Sequence, residues 1–413
     1  MSTIRPFRAI RPKKEYAAQV ASKPYDVLSS DEARVEAKGN DYSFLHVTKS
    51  EIDLPVDVDH YDMKVYEKAK DNFNNMVKKG IFFQDERPML YIYAQTMNGR
   101  TQYSIMGCAS IEEYENNVIK KHELTRKDKE DDRCRHVEMT NANTGVVFLT
   151  YRDHKGVNKA VSDWVDNHRP EYSFTAPDGI KHEVWLIDDC RTMEEIIMHF
   201  KAISTLYIAD GHHRTASAYR VGAKKRSESP NHKGEEEYNF FLAAYFPASH
   251  LMIMDYNRLV KDLNGMNSDQ FIAAVSKNFD VCLLASASPK EPKSFGMYLD
   301  GKWHMLKAKK GTYPEKHPIN SLDVAILQNN LLGPILGIGD PRTEKRIDFV
   351  GGIRGTNELE KRVNSGEFKV AFSMFPTTIK ELMNVADAGM IMPPKSTWFE
   401  PKLRDGLIIH TLN

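Results

Sequence analysis

The sequence lacks the features that define several large classes of protein. Its 413 residues include only four cysteines, at positions 108, 134, 190 and 282, and no two of them form a CxxC pair. This spacing argues against a disulfide framework or a cysteine-rich metal module. No apolar run approaches the roughly 18 residues of a membrane helix, and the basic N-terminus has no apolar signal core. We therefore expect a cytoplasmic chain with reduced thiols.

Net charge is also absent, because lysine plus arginine and aspartate plus glutamate both total 57. No overall field would draw in nucleic acid or an anionic membrane. We find neither a helix-turn-helix pattern nor a basic stripe, and neither a Walker A sequence nor the protein-kinase motifs. The glycines of 351–355 predict a loop turn rather than a phosphate cradle. The predicted partners are small molecules, with no nucleic acid and no membrane, and the oligomeric state is left open.

The most informative segment that is present is STLYIADGHHRTASAYR, residues 204–220. A short apolar run, Thr205–Ala209, predicts a buried strand, and Asp-Gly is a strong turn signal. From His213 onward, small and apolar residues recur at helical spacing as far as Gly222, which we predict to end the helix. The pattern is a strand that passes through a tight turn into a helix.

The N-terminus of a helix binds anions through its free backbone N–H groups and its dipole. We therefore predict phosphate binding by Gly211, His212, His213 and Arg214. Asp210 beside them is expected to be ionised and able to hold a divalent cation or to accept a proton. The alternative is structural: Asp210 is a turn residue or helix cap, and the histidines are surface residues.

Two further segments contain candidate functional residues. His122 and Glu123 lie in the charged stretch VIKKHELTRKDKEDDR, where Glu123 would suit a general base; the alternative is a solvated helix with i,i+4 ion pairs. Near the C-terminus, three prolines predict a rigid extended loop that presents Lys395, Ser396 and Thr397 to a small ligand. These prolines would equally serve to pack a terminal strand against the core.

The blocks PFRAIRP, SKPYDV, IKKHELTR, IADGHHRTASAY and MPPKSTWFEPKLRDGLIIH resemble a bacterial and protist family long labelled as a domain of unknown function. The resemblance runs from Pro6 to His410. The DGHHR block also resembles the ParB/sulfiredoxin superfamily of nucleotide-binding proteins. Within that superfamily, the His-Glu pair, the DGHHR segment and the Pro-Lys-Ser-Thr loop occur in the same order as their counterparts in the free L-serine kinases.

This resemblance implies an α/β (α+β) fold, with a family-specific N-terminal α+β region over 1–109 and a ParB/sulfiredoxin-like core over 110–413. It implies that Glu123 deprotonates or orients the serine hydroxyl and that Asp210 assists or holds Mg²⁺. By the same resemblance, residues 211–214 surround the transferred phosphate, and residues 395–397 contact serine. The phosphate donor would be ATP or ADP. One departure is Phe399, where the kinases have a histidine.

The leading hypothesis is therefore a nucleotide-dependent kinase that converts free L-serine into O-phospho-L-serine. One alternative is a ParB-like nucleotide-binding or nucleotide-hydrolysing switch without small-molecule kinase activity. Another is a metal-dependent hydrolase that uses Asp210, His212 and His213 with His122. We rank the hydrolase last, because adjacent histidines on a turn point in divergent directions. The kinase hypothesis requires Glu123 and Asp210, which are distant in sequence, to meet in space.

Overall fold

The computed structural model describes residues 1–283 and 287–413. The chain forms two compact units, Met1–Leu251 together with Pro401–Asn413, and Met252–Glu400. The C-terminal residues therefore return to the first unit. The predicted domain boundary after residue 109 falls inside the strand Arg100–Ser110 of the first unit. The division into a family-specific region and a ParB/sulfiredoxin-like core stays a prediction.

Strands and helices are numbered along the whole chain. The strands of the first unit are β1 (Ile10–Pro12), β2 (Phe82–Gln84), β3 (Leu90–Met97), β4 (Arg100–Ser110), β5 (Ile119–Lys120), β6 (Ala142–Asn143), β7 (Val147–Tyr151), β8 (Tyr172–Thr175), β9 (Lys181–Ile187), β10 (Leu206–Asp210), β11 (Phe240–Pro247) and, near the C-terminus, β20 (His410–Thr411). Its α-helices are α1 (Ala17–Val20), α2 (Ser30–Ala37), α3 (Leu45–Thr48), α4 (Met63–Lys78), α5 (Ile111–Glu115), α6 (Lys127–Thr140), α7 (Lys155–Asn167), α8 (Cys190–Lys201) and α9 (His212–Glu228).

Eight of these strands form one mixed sheet, in the order β5-β10-β7-β11-β4-β3-β9-β8. Asn98 and Gly99 both have positive φ, 52° and 77°, and join β3 to β4 as a tight hairpin turn. On its other side β4 pairs with β11, which lies more than a hundred residues further along the chain. The hairpin lies in the interior of the sheet, with β11 beside β4 and β9 beside β3. The N-terminal region therefore contributes strands to the same sheet as later parts of the chain. Buried side chains from α7 and α8, including Trp164 and Phe200, pack with strand residues such as Leu149 in the main core.

Helix α9 extends beyond its predicted end. The prediction that it stops at Gly222 was wrong, since the helix continues to Glu228. A Cβ atom at Gly222 would lie 2.3 Å from the carbonyl oxygen of Tyr238 and 2.6 Å from Ile111 Cδ1. This glycine therefore allows close packing of a neighbouring segment, rather than a left-handed cap.

The second unit contains β12 (Ile253–Met254), β13 (Tyr256–Val260), β14 (Phe279–Leu283), β15 (Ser294–Leu299), β16 (Lys302–Ala308), β17 (Ile347–Gly351), β18 (Val370–Met374) and β19 (Trp398–Phe399). Its α-helices are α10 (Ser268–Val275), α11 (Asp323–Leu327), α12 (Gly355–Asn364) and α13 (Ile379–Asp387). Six strands form an antiparallel sheet in the order β14-β16-β15-β18-β13-β17. Leu259, Val350 and Leu359 are among the buried residues of its core.

The predicted mixture of helices and sheets is confirmed in both units. Across residues 1–283 and 287–413, none of the helices combines the length and apolar character that a membrane crossing requires.

Candidate functional site

The pairing of two parallel strands brings together sequence motifs that are far apart in the chain. β5 and β10 are neighbours and run parallel, with Ile119 opposite Leu206. Their carboxyl ends meet at one edge of the sheet, the position at which open α/β sheets bind ligands. The loop after β5 contains His122 and Glu123, and the turn after β10 leads into His212. Glu123 Oε2 lies 4.0 Å from His212 Nδ1, so the two motifs converge.

The turn itself is formed by Gly211, whose φ of 91° lies in the left-handed region. This conformation turns the chain directly from β10 into α9, a helix of 17 residues. The N–H groups of its first turn have no partner within the helix, and the helix dipole makes this end positive. The predicted strand, tight turn and helix are therefore present, and the positive helix end lies beside Glu123.

Asp210 ends β10 and has a partner on each carboxylate oxygen. Oδ1 accepts a hydrogen bond from Gly211 N at 2.7 Å, and Oδ2 accepts one from Lys402 Nζ at 2.8 Å. Burial would raise the pKa of Asp210, but the Lys402 ammonium and the Arg214 guanidinium hold it well below its ordinary range. Asp210 is therefore ionised, as the sequence predicts. One Asp210 oxygen already accepts from an ammonium and the other from a backbone N–H. The carboxylate is therefore better suited to an ion pair with Lys402 than to the coordination of a resident Mg²⁺.

Arg214 points to the side of the helix that faces the protein interior. Its Nη2 donates to Asp26 Oδ1 at 3.0 Å and its Nη1 donates to the carbonyl oxygen of Val146 at 3.1 Å, while its guanidinium lies 5.4 Å from the centre of the Tyr25 ring. Burial lowers the pKa of Arg214, but the carboxylates of Asp26 and Asp405 raise it above its ordinary value. The guanidinium thus joins the start of α9 to a segment near the N-terminus.

His122 and His212 form a buried pair beside Glu123. The exposed fractions of these two residues are 2% and 6%, and the two rings meet edge to face with their centres 4.5 Å apart. Burial lowers the pKa of His122 to about 4. Burial and then the adjacent His122 ring hold the pKa of His212 well below its ordinary range. Both imidazoles are therefore neutral at pH 7, and each keeps a nitrogen lone pair.

His213 faces a different way from His212. Its Nε2 accepts a hydrogen bond from the backbone N–H of Arg126 at 3.0 Å, in the loop that leads into α6. His213 is half-buried, and this burial lowers its pKa. The two adjacent histidines therefore diverge, as expected for neighbouring positions at the start of a helix.

A small cavity of about 30 Å³ lies behind the start of α9, lined by residues that include Tyr25, Arg133, Arg214 and Asp405. Asp405 is 1% exposed, and among the described residues neither of its carboxylate oxygens has a hydrogen bond of good geometry, although the backbone N–H of Val146 is close enough to stabilise its charge. Burial raises the pKa of Asp405 to about 6, although Arg214 opposes this shift. The cavity has room for a water molecule between these polar groups.

Lys395, Ser396 and Thr397 belong to the second unit. As predicted, their segment is not helical. Lys395 has a positive φ of 57°, and its carbonyl oxygen accepts a hydrogen bond from Arg258 Nη2 at 3.0 Å. The Ser396 hydroxyl donates to the carbonyl oxygen of Pro393 at 2.6 Å. Their predicted role in substrate binding stays a prediction.

Sequence reasoning did not assign roles to Asp26, Lys402 or Asp405. These residues lie in the blocks SKPYDV and PKLRDGLIIH, whose sequence signal is the family resemblance. The chain brings them to the site because Ser22 and Asp405 exchange two backbone hydrogen bonds, of 3.1 and 2.9 Å. The one available signal was the presence of charged residues within such blocks, which does not show what they contact.

The fold and the site together define a two-unit α+β protein with an ionisable cluster at the carboxyl ends of two parallel strands. The model of the family described as "Protein of unknown function (DUF1015)" matches residues 4–325. The chain belongs to this family. No curated protein matches it.

Several solved structures show a distant likeness to the chain. One is described as a free serine kinase in complex with AMP, with 11% identity over 75% of this chain and 91% of that chain, and a TM-score of 0.36. Another is SbnI with a C-terminal truncation from Staphylococcus aureus, with 10% identity over 73% and 86% of the two chains and a TM-score of 0.39. A conserved hypothetical protein from Pyrococcus furiosus has 12% identity over 74% and 95%, and a TM-score of 0.34. These TM-scores are too low to establish a common fold.

Proposed function

We propose that the protein transfers a phosphoryl group from ATP or ADP to the hydroxyl of free L-serine and produces O-phospho-L-serine. The observation that carries this proposal is the position of Glu123, 4.0 Å from His212 at the N-terminal end of α9. A helix N-terminus can hold the phosphate that is to be transferred. A carboxylate next to it can accept the proton of the alcohol that attacks this phosphate. The ParB/sulfiredoxin-like core is part of the same proposal.

The proposed roles follow from the charges of the site. The first-turn N–H groups of α9 and the Lys402 ammonium, which is paired with Asp210, stabilise phosphate oxygens. Asp210 keeps Lys402 in place through the 2.8 Å ion pair. Glu123 is more than half exposed, so its carboxylate is accessible to a hydroxyl and accepts the proton as the phosphoryl group leaves the nucleotide. A divalent cation bound with the nucleotide would neutralise phosphate charge.

The test is a direct product assay on the full chain with L-serine, Mg²⁺ and either ATP or ADP, with phosphoserine measured by mass spectrometry. We expect product from the wild type and a roughly 10²- to 10⁴-fold lower rate from Glu123→Ala, because a positioned general base contributes about this factor. Glu67→Ala is the matched control, since Glu67 is exposed on α4. Its rate should equal that of the wild type.

Two outcomes would contradict parts of the proposal. Nucleotide binding or hydrolysis without phosphoserine would remove serine as the acceptor and support the switch hypothesis. Equal rates for Glu123→Ala and Glu67→Ala would remove Glu123 as the base while leaving the kinase in place.

A further inference from the structure

We infer that His122, Glu123 and His212 form a binding site for one divalent transition-metal ion of the zinc type. This inference concerns an ion that the protein itself holds, and it does not depend on the proposed kinase activity. An ion bound to one Glu123 carboxylate oxygen would leave only the other oxygen for the proton-accepting role proposed above. Each of the three residues offers one ligand atom, and these atoms all lie within 4.8 Å of one another.

The first argument is a contrast among the buried histidines of the described residues. Three of them, His136, His182 and His410, have a polar partner on both ring nitrogens. The six nitrogen-to-partner distances run from 2.7 to 3.5 Å: His136 Nε2 to Val47 O and Nδ1 to Thr144 Oγ1, His182 Nδ1 to Tyr93 Oη and Nε2 to Arg404 Nε, and His410 Nδ1 to Asn143 Oδ1 and Nε2 to Glu237 Oε2. Hydrogen bonding of both nitrogens is thus the pattern for these buried imidazoles.

The pair at the edge of the sheet breaks that pattern. Both nitrogens of His122 are buried, and among the described residues neither makes a hydrogen bond of good geometry; the backbone group that acts on the ring belongs to Ile208. Among the described residues, His212 makes one weak hydrogen bond, in which its Nε2 accepts from the backbone N–H of His122 at 3.5 Å, and its Nδ1 lies 4.0 Å from Glu123 Oε2. Burying polar groups without partners costs free energy, and each such group calls for a specific explanation. A metal ion would supply the missing partner.

The second argument is the set of ligand atoms. Two imidazole nitrogens and one carboxylate oxygen are the three protein ligands of many catalytic zinc sites, which leave the fourth position open. Imidazole-rich sites favour zinc and its neighbours, whereas Mg²⁺ prefers oxygen ligands and keeps several waters. Glu123 is the exposed member of the three, so the open position would face solvent.

The geometry requires only a small approach of the ligands. Metal bonds of about 2.1 Å in a tetrahedral site place ligand atoms about 3.4 Å apart. Glu123 Oε2 and His212 Nδ1 are separated by 4.0 Å. Glu123 lies in the loop between β5 and α6, so the remaining approach falls on an exposed side chain rather than on the buried histidines.

The test measures metal binding to the full chain without nucleotide or serine. Protein treated with a chelator and then dialysed is titrated with Zn²⁺ by calorimetry and with Co²⁺ by visible absorption. We expect one ion per chain. His122→Gln and Glu123→Gln should each lower the affinity by more than the roughly ten- to hundredfold that changes outside the ligand set cause.

His199→Gln is the matched control. His199 forms another close histidine pair in the same unit, with its ring centre 5.1 Å from that of His154, and this variant should bind the ions as the wild type does. If the buried His122→Gln variant does not fold, Glu123→Gln decides the question, because Glu123 is exposed.

The inference is overturned if the wild type binds no stoichiometric Zn²⁺ or Co²⁺, or if Glu123→Gln and His199→Gln bind as tightly as the wild type. Because no substrate is present, failure of the kinase proposal would leave this measurement unchanged, and failure here would leave the phosphoserine assay unchanged.

Discussion

Each unit contains a junction at which a strand passes through glycine into a helix, and the two junctions differ in what surrounds them. In the first, β10 passes through Gly211 into α9; in the second, β17 passes through Gly351 and Gly352 into a short turn and then α12. Around the first, buried or half-buried ionisable side chains converge. The second exposes Ile353 and Arg354 to solvent.

The glycines of the two junctions are required for different reasons, one for its backbone conformation and the other for close packing. Gly211 has a φ of 91°, which side chains rarely adopt, and it sets the direction of α9. Gly351 has an ordinary φ of −65°, but a Cβ there would lie 2.8 Å from the Trp398 ring. The N–H of Gly352 donates to the carbonyl oxygen of Asp255 at 2.8 Å. A glycine at a strand-to-helix turn therefore does not by itself make a functional site. The residues packed around the turn determine whether a site is present.

The largest expected difference between the junctions concerns their arginines. Arg214→Ala removes the cation that donates to Asp26 and that lies near the buried carboxylate of Asp405. Leaving a buried charge without its partner costs about 3–5 kcal/mol, and because Asp26 is 39% exposed we expect a loss at the lower end of that range. Arg354→Ala removes an exposed side chain and should change the free energy of unfolding by no more than about 0.5 kcal/mol. Urea unfolding of both variants measures this contrast. Similar small losses would mean that the charge network at the first junction contributes little to stability.

A second prediction concerns pH. The pKa of Asp405 is raised to about 6 in the folded protein, against roughly 3.9 when unfolded. The folded state therefore binds more protons between these values, so the Asp405 contribution to the free energy of unfolding falls as pH rises from about 4 to 6 and is level above that. The full shift corresponds to about 3 kcal/mol.

The measurement is urea unfolding of the wild type and Asp405→Asn at several pH values from 4 to 7. Asn has nearly the same shape but does not titrate. The free energy of the wild type minus that of the variant should decrease across this range. A difference that is independent of pH would show that Asp405 does not titrate with folding.

The smallest expected effect tests the two glycines. Gly211→Ala should cost about 1–2 kcal/mol, because a side chain is strained at this φ, and Gly211→Asn should recover part of the loss, since Asn tolerates the left-handed region. At Gly351 the order should reverse. Ala there would crowd the Trp398 ring at a cost of about 1–3 kcal/mol, and the larger Asn would cost more.

Thermal unfolding midpoints of the four variants measure the order at each position. If Asn is the better replacement at both glycines, or the worse one at both, the distinction between a conformational and a packing glycine would fail.

Local patterns predicted part of the fold. The hairpin at Asn98 and Gly99, the strand before Asp210 and the helix after Gly211 follow from side-chain periodicity and from the turn preferences of Asn, Asp and Gly. The predicted end of α9 was wrong because glycine is the usual residue at a helix end. In this helix, Gly222 instead allows close packing against Tyr238. A local pattern cannot distinguish these two reasons.

Part of the site was also beyond local patterns. The DGHHR residues were identifiable because several polar groups cluster where a predicted strand ends. His122 and Glu123 were identifiable as a His-Glu pair in a charged stretch and through the family resemblance. Lys402 and Asp405 were not, since they come from the far end of the chain and reach the site through a backbone pairing with Ser22. The ion pair of Lys402 with Asp210 also changes what that carboxylate can bind.

The sequence by itself determined the elements of the site: a strand, a glycine turn and a helix start with histidines and an arginine, and a His-Glu pair elsewhere. These depend on interactions between residues close in the chain. Only the tertiary structure decided that the two motifs meet, that His212 turns toward Glu123 while His213 turns away, and that Arg214 pairs with Asp26. These outcomes depend on which strands lie side by side, and strand pairing is set by the packing of the whole unit.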